Sequence, residues 1–152
     1  MPIYVDGDAC PVKEEVYRGA RRHVVKVFVV ANATMRVPTE ELIELVVVRG
    51  GFDAADDWIV ERIGDSDLAI TTDIPLAGRC LEKGARVLGP KGKAFTEDDI
   101  GNALATRALM EMLRQGGTFT GGPAAFAKED RSRFLAKLDE TLHAIKRGKK
   151  RS

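Results

Sequence analysis

Five short runs of apolar and β-branched residues, most of them separated by stretches with helical spacing, narrow the folds open to this chain. Residues 2–5 read as a short buried strand, Val24 to Val30 as a second, Leu45 to Val48 as a third, Leu68 to Thr72 as a fourth and Ala85 to Leu88 as a fifth. Pro11 stands at a plausible first helical position, ahead of Val12, Val16 and Tyr17 at helical spacing. Asp53 is placed to cap a helix carrying Trp58, Ile59 and Ile63, and Ile74 to Lys83 reads as a short helix stopped by Gly84. Strands alternating with helices argue for βαβ units and a mainly parallel sheet, an α/β fold.

The last third changes character. Thr96 and Asp99 resemble a capping box for a helix carrying Ile100, Leu104, Ala108 and Met112. A loop rich in Gly, Thr and Pro follows from Gly116 to Pro123, and a closing helix near Asp130 carries Phe134, Leu135, Leu138 and Leu142. These two C-terminal helices are expected to pack on the α/β core, so that residues 1–152 form one domain.

No apolar run approaches the roughly 20 residues that span a bilayer, and Met1-Pro2-Ile3 does not resemble a secretory signal. The two cysteines, Cys10 and Cys80, lie far apart and fit a reducing cytoplasm. The net charge of +1 conceals an asymmetry. Between Asp53 and Asp73 seven acids face one base, Arg62, whereas from Asp130 onward eight bases face three acids. The basic stretch 146–152 reads as a frayed helix end whose cations suit the helix dipole; the alternative is a phosphate-backbone contact.

Chemistry concentrates where apolar runs end in aspartate. Ile3-Tyr4-Val5 leads into Asp6-Gly7-Asp8, and the fourth run leads into Asp73. In an open parallel sheet, ligands bind in the crevice outside the carboxyl ends of the strands. Gly7 permits close backbone approach, and carboxylates are hard ligands suited to Mg²⁺ or Mn²⁺. Zinc is disfavoured, since His23 and His143 fall on predicted helices away from these acids. Capping offers a plainer account of Asp8, ahead of the Pro11 helix, and of Asp73, ahead of Pro75. It also covers part of the Asp53, Asp56 and Asp57 set; three close carboxylates are easier to understand around a shared cation, and Asp56 and Asp57 stay equivalent at this level. Cys10 is a nucleophile candidate only through its helix N-terminus, with an inert buried thiol as the alternative. Lys13, in the first turn of that helix, is a candidate to reach a phosphate, with a solvated lysine as the alternative.

The motifs Asp6-Gly7-Asp8-Ala9-Cys10-Pro11-Val12-Lys13, Asp53-Ala54-Ala55-Asp56-Asp57-Trp58-Ile59 and Thr72-Asp73-Ile74-Pro75-Leu76-Ala77 resemble those of the YaiI/YqxD family of bacterial proteins. Gly122-Pro123, Phe126 and Asp130-Arg131-Ser132-Arg133-Phe134 are similar to its closing motif. That family is grouped with PIN-like domains, which implies a doubly wound sheet with an acidic, metal-dependent nuclease site. By motif, Asp6, Asp56 and Asp73 would be the catalytic acids and metal ligands; Asp8 and Asp57, from the acid clusters themselves, are the further metal-ligand candidates. Asp8 belongs to the family's own signature, and the fourth acid of PIN-like sites has only Glu97, Asp98 and Asp99 as candidates.

The leading expectation is therefore a Mg²⁺- or Mn²⁺-dependent phosphodiesterase acting on RNA or single-stranded nucleic acid. Lys13, Asn32, Thr72, Arg131 and Arg133 are expected to face the substrate. The alternative is a PIN-like module that binds nucleic acid or a nucleotide without cutting it. A third reading takes the D-x-D of Asp6 and Asp8 as nucleophile and acid/base of a haloacid dehalogenase-type phosphatase.

Overall fold

A computed structural model describes residues 2–50, 53–96 and 128–150. The elements in chain order are β1 (Ile3–Asp6), α1 (Lys13–His23), β2 (Val27–Ala31), β3 (Ile43–Val47), α2 (Ala54–Arg62), β4 (Leu68–Ile70), α3 (Ile74–Glu82), β5 (Arg86–Leu88), β6 (Ala94–Phe95) and α4 (Lys128–Lys150). A single 3-10 turn, Gly7–Ala9, joins β1 to the approach of α1. The six strands form one sheet in the order β3-β2-β1-β4-β5-β6. All neighbours run parallel except β6, which pairs antiparallel with β5.

Both faces of the sheet are covered, which is why the strands read as nearly continuous apolar runs. On one face Ile3, Val5, Val27 and Val29 pack against Val16 and Tyr17 of α1 and Phe134, Leu138 and Leu142 of α4. On the other, Tyr4, Val30 and Ala69 meet Ile59 of α2 and Leu76, Ala77 and Cys80 of α3. Consecutive residues of β1 thus serve opposite layers, the period-2 alternation of a strand. Gly19 lets α1 and α4 approach closely: a Cβ there would lie 2.5 Å from Leu138 Cδ2.

Several local expectations change. The first helix starts at Lys13 after Val12, so Pro11 precedes it rather than opening it. The second strand begins at Val27, because α1 runs to His23 and Val24 takes a left-handed conformation, φ 54°, at its C-terminus. There the Val24 amide donates to the carbonyls of Ala20 and Arg21. The third strand starts earlier, at Ile43, where its backbone pairs with Val27. Edge strand β6 had no periodic signal to betray it; two residues are too few.

The expected helix after Thr96 and the Gly116–Pro123 loop lie outside the described residues, as do Glu97, Asp98 and Asp99. Of the two C-terminal helices, α4 packs on the core as expected. Its basic end is not loose at Lys146: that ammonium accepts a structural place by donating to the His23 carbonyl at 2.6 Å. A carbonyl at the end of α1 attracts a cation, as a helix C-terminus does. No helix among the described residues is long and apolar enough to cross a membrane.

Candidate acidic site at the sheet crossover

The strand order reverses direction at β1. The chain winds outward from β1 to β2 and β3, then crosses back through α2 to β4 on the other side of β1. At such a switch point, the loops leaving the two central strands diverge and open a crevice. Asp6 ends β1, and Thr71, Thr72 and Asp73 follow β4. Parallel crossovers also place the N-termini of α1, α2 and α3 on this same edge, so Asp56, in the first turn of α2, joins them.

Asp6 is 8% exposed and anchored. Thr71, itself buried, donates from Oγ1 to Asp6 Oδ2 at 3.0 Å, and the same Oγ1 accepts the Asp73 amide at 3.0 Å. One hydroxyl therefore ties the end of β1 to the start of α3. Asp73 caps α3 as expected, its Oδ1 accepting the Leu76 amide at 2.9 Å. Gly7 turns tightly against β2; a Cβ there would lie 2.9 Å from Val29 Cγ1.

The carboxyls sense one another. Burial raises the Asp6 pKa above its ordinary value, and the charges of Asp73 and Asp8 push it the same way against the opposing Thr71 hydrogen bond. Asp56 is raised from 3.8 to about 6, by burial first and then by the charges of Asp73, Asp6 and Asp53. A helix N-terminus favours an anion, so burial and the neighbouring charges together outweigh the dipole. Asp57 points elsewhere: it forms an ion pair with Arg79 at 3.0 Å and borders a separate cleft of about 490 Å³ with Arg49, Asp53 and Trp58. Asp6, Asp56 and Asp73 do not line that cleft. The structure thus distinguishes Asp56 from Asp57, which the sequence left equivalent.

The remaining predicted residues divide. Asp8 does not cap α1; its Oδ2 accepts the backbone amide of Asn32 at 2.9 Å, tying the 3-10 turn to the end of β2. Asp53 occupies the N-cap position of α2 without a side-chain capping bond. Lys13 donates to the Cys10 carbonyl at 2.9 Å and is close enough to Asp6 to favour its charged form. Cys10 is buried, with its pKa pushed up to about 11 mainly by burial, so it is the inert thiol of the two readings. Arg131 is occupied in joining α4 to α1, donating to the Pro11 carbonyl at 2.8 Å and to Glu15 Oε1 at 3.2 Å. Arg133 pairs with Asp130 at 3.2 Å.

Thr72 is exposed and borders an apolar cleft of about 300 Å³ with Pro11, Pro90, Lys91, Lys93 and Phe95. Lys91, Lys93 and the bridging Thr71 were not foreseen. The lysines sit in a loop with no motif, and Thr71 was read as the last residue but one of a strand.

The three acids are not drawn into a tight cage. Among the described residues, the set of three His, Cys, Asp or Glu whose ligand atoms all lie within 4.8 Å of one another is His23, Asp139 and His143, elsewhere in the fold. The acid centre instead offers carboxylate oxygens at wider spacing.

Residues 4–144 match the family model described as "Uncharacterized BCR, YaiI/YqxD family". A UPF0178 protein of Rhodospirillum centenum is 56% identical over 98% of this chain and 99% of its own length. One from Bradyrhizobium diazoefficiens is 57% identical over 95% of this chain and 87% of its own, and one from Rhodospirillum rubrum is 53% identical over 98% and 100%. No solved structure matches the chain.

Proposed function

The chain belongs to the YaiI/YqxD family, and from that premise we propose that it is a Mg²⁺- or Mn²⁺-dependent nuclease of PIN-like type, hydrolysing phosphodiesters of RNA or single-stranded nucleic acid. One observation carries the reading: Asp6, Asp56 and Asp73 come from three separate elements to the crossover between β1 and β4, where burial first and then the charges of Asp73 and Asp6 raise the pKa of Asp56 to about 6. Crowded carboxylates at a ligand-binding edge are an arrangement that a bound cation relieves. Such an ion supplies an activated water and neutralises charge on the phosphate.

The protein's own contribution is positioning. Thr71 fixes Asp6 Oδ2, leaving Oδ1 to face a ligand, and the α3 cap holds Asp73 by Oδ1, leaving Oδ2. Lys91 and Lys93 flank the neighbouring cleft and suit a phosphate backbone, while Pro90 and Phe95 offer an apolar wall to a base.

The test is hydrolysis of single-stranded RNA and DNA with Mg²⁺ or Mn²⁺ by wild type, Asp6→Asn and Asp73→Asn. Asparagine still accepts the Thr71 proton and still caps a helix, so both variants keep the fold and lose cleavage. Activity persisting in both would sink the proposal. A second reading, binding without cutting, is favoured by the wide spacing of the acids and by the capping duty of Asp73. It requires a salt-sensitive complex that survives Asp73→Asn, with no cleavage under either metal. The phosphatase reading needs Asp8 available as acid/base; its carboxylate is instead bonded to Asn32.

A further inference from the structure

We propose that His23, Asp139 and His143, where the end of α1 meets α4, bind one divalent transition-metal ion of the zinc class, at a site separate from the acidic edge.

The geometry is that of a chelate. Asp139 and His143 stand four residues apart on α4, so both side chains leave the same helix face. His23 comes from the last position of α1 and faces them. Its Nε2 lies 2.6 Å from Asp139 Oδ1, while His143 Nε2 lies 3.7 Å from Oδ2 of the same carboxylate. The two imidazole rings are 4.7 Å apart, nearly perpendicular, at 80°. All three residues can offer one ligand atom within 4.8 Å of the others.

Zinc bonds of about 2.0–2.2 Å in tetrahedral array set neighbouring ligand atoms roughly 3.3–3.5 Å apart. The His143 distance already approximates this. The shorter His23 distance is that of a shared proton, which an entering ion replaces. Access is graded: the His23 side chain is 5% exposed, Asp139 32% and His143 60%, so the cluster has a fixed inner wall and an open outer side for a fourth ligand, water.

A hydrogen bond between His23 and Asp139 explains those two residues by packing alone. The i, i+4 spacing on α4 then brings the exposed His143 to the second oxygen of the same carboxylate, completing a set of three ligand residues. Two cations compete for the site. Arg22 reaches Asp139 Oδ1 at 3.6 Å from a side chain 70% exposed and free to swing away, and Lys146 is held by the His23 carbonyl rather than by a ligand atom. Two imidazoles and one carboxylate select zinc, cobalt, nickel or copper over magnesium and manganese. The sequence hid the site because its members are 116 residues apart.

The test uses the full-length, tag-free, chelator-treated protein titrated with CoCl₂ and followed by visible d–d absorption, with ZnCl₂ in parallel thermal unfolding. One cobalt with intense tetrahedral d–d absorption binds per chain, displaced by zinc. The unfolding midpoint rises by about 5–10 °C at free zinc roughly 100-fold above Kd. His143→Ala, a change at an exposed side chain, weakens binding by more than the roughly 10–100-fold that a supporting partner costs, and Asp139→Asn does likewise. Asp6→Asn and Asp73→Asn leave it unchanged, which separates this site from the acidic one. Absence of a cobalt spectrum, an affinity unaltered in His143→Ala, or a thiolate charge-transfer band from Cys10 or Cys80 would each overturn the assignment.

Discussion

Replacing Asp56 by Asn tests whether the acidic edge is crowded in the way the structure implies. The folded protein raises this carboxyl from 3.8 to about 6, chiefly by burial and then by Asp73 and Asp6. Between those values the folded state holds a proton that the unfolded chain has released. Stability to unfolding therefore falls as pH rises from about 4 to about 6 and stays reduced above it. At ~1.4 kcal/mol per pH unit the full effect would be about 3 kcal/mol. The carboxyl is only partly buried, and solvent screening reduces this to about 1–2 kcal/mol. Asparagine removes the charge, so Asp56→Asn should be more stable than wild type by about 1–2 kcal/mol at pH 8. The gain should shrink toward zero near pH 4. Urea unfolding at both pH values measures it, with midpoints compared at constant slope. A carboxylate serving only the dipole of α2 gives the opposite sign, a loss of about 0.3–1 kcal/mol. A variant less stable than wild type at pH 8, or a gain indifferent to pH, would refute the argument.

Other consequences are as direct. Thr71→Val keeps the shape of a buried side chain but leaves Asp6 Oδ2 and the Asp73 amide without their shared partner; denaturant unfolding should show a loss of about 1–3 kcal/mol, and an unchanged midpoint would remove Thr71 from the account. Val24→Gly relieves a left-handed conformation at a residue 75% exposed. It should add about 1 kcal/mol, or roughly 2–4 °C in Tm; destabilisation would mean that the valine side chain is itself holding the turn. Cys10 and Cys80, buried and with pKa values pushed up to about 11 and about 12 by burial, should resist a thiol reagent at pH 8 until the protein is unfolded. Rapid labelling of the native protein would contradict their burial.

The doubly wound sheet was legible because burial on both faces leaves strands as apolar runs and helices as 3.6-residue patterns. Boundaries were less so. Val24 belongs to a strand by composition, yet the hydrogen bonds ending α1 claim it for a helix cap. Asp6, Asp56 and Asp73 could be placed at one edge because a parallel sheet delivers strand ends and helix starts to the same side. The partners of those acids were less visible. Asp8 was read as a cap or a ligand, and only the fold shows that the Asn32 amide reaches it first. Thr71 was hidden by its strand-like neighbours, although a hydroxyl one residue past a central strand is well placed to bridge two loops. His23 and His143 read as isolated helical residues, since nothing local predicts that α4 lies along α1.

That packing has a consequence for how the chain is made. The sheet face bearing Val5, Val27 and Val29 is roofed in part by Phe134, Leu138, Leu142 and Ile145. The ribosome completes β3 some eighty residues before it begins α4. At about 5–20 residues per second, the apolar face waits roughly 4–16 s for its cover. A transcript truncated ahead of Lys128 would yield a product lacking the α4 part of that cover, a target for chaperones and proteases instead of a shortened working protein. Helix α4 thus closes a sheet face laid down much earlier in synthesis.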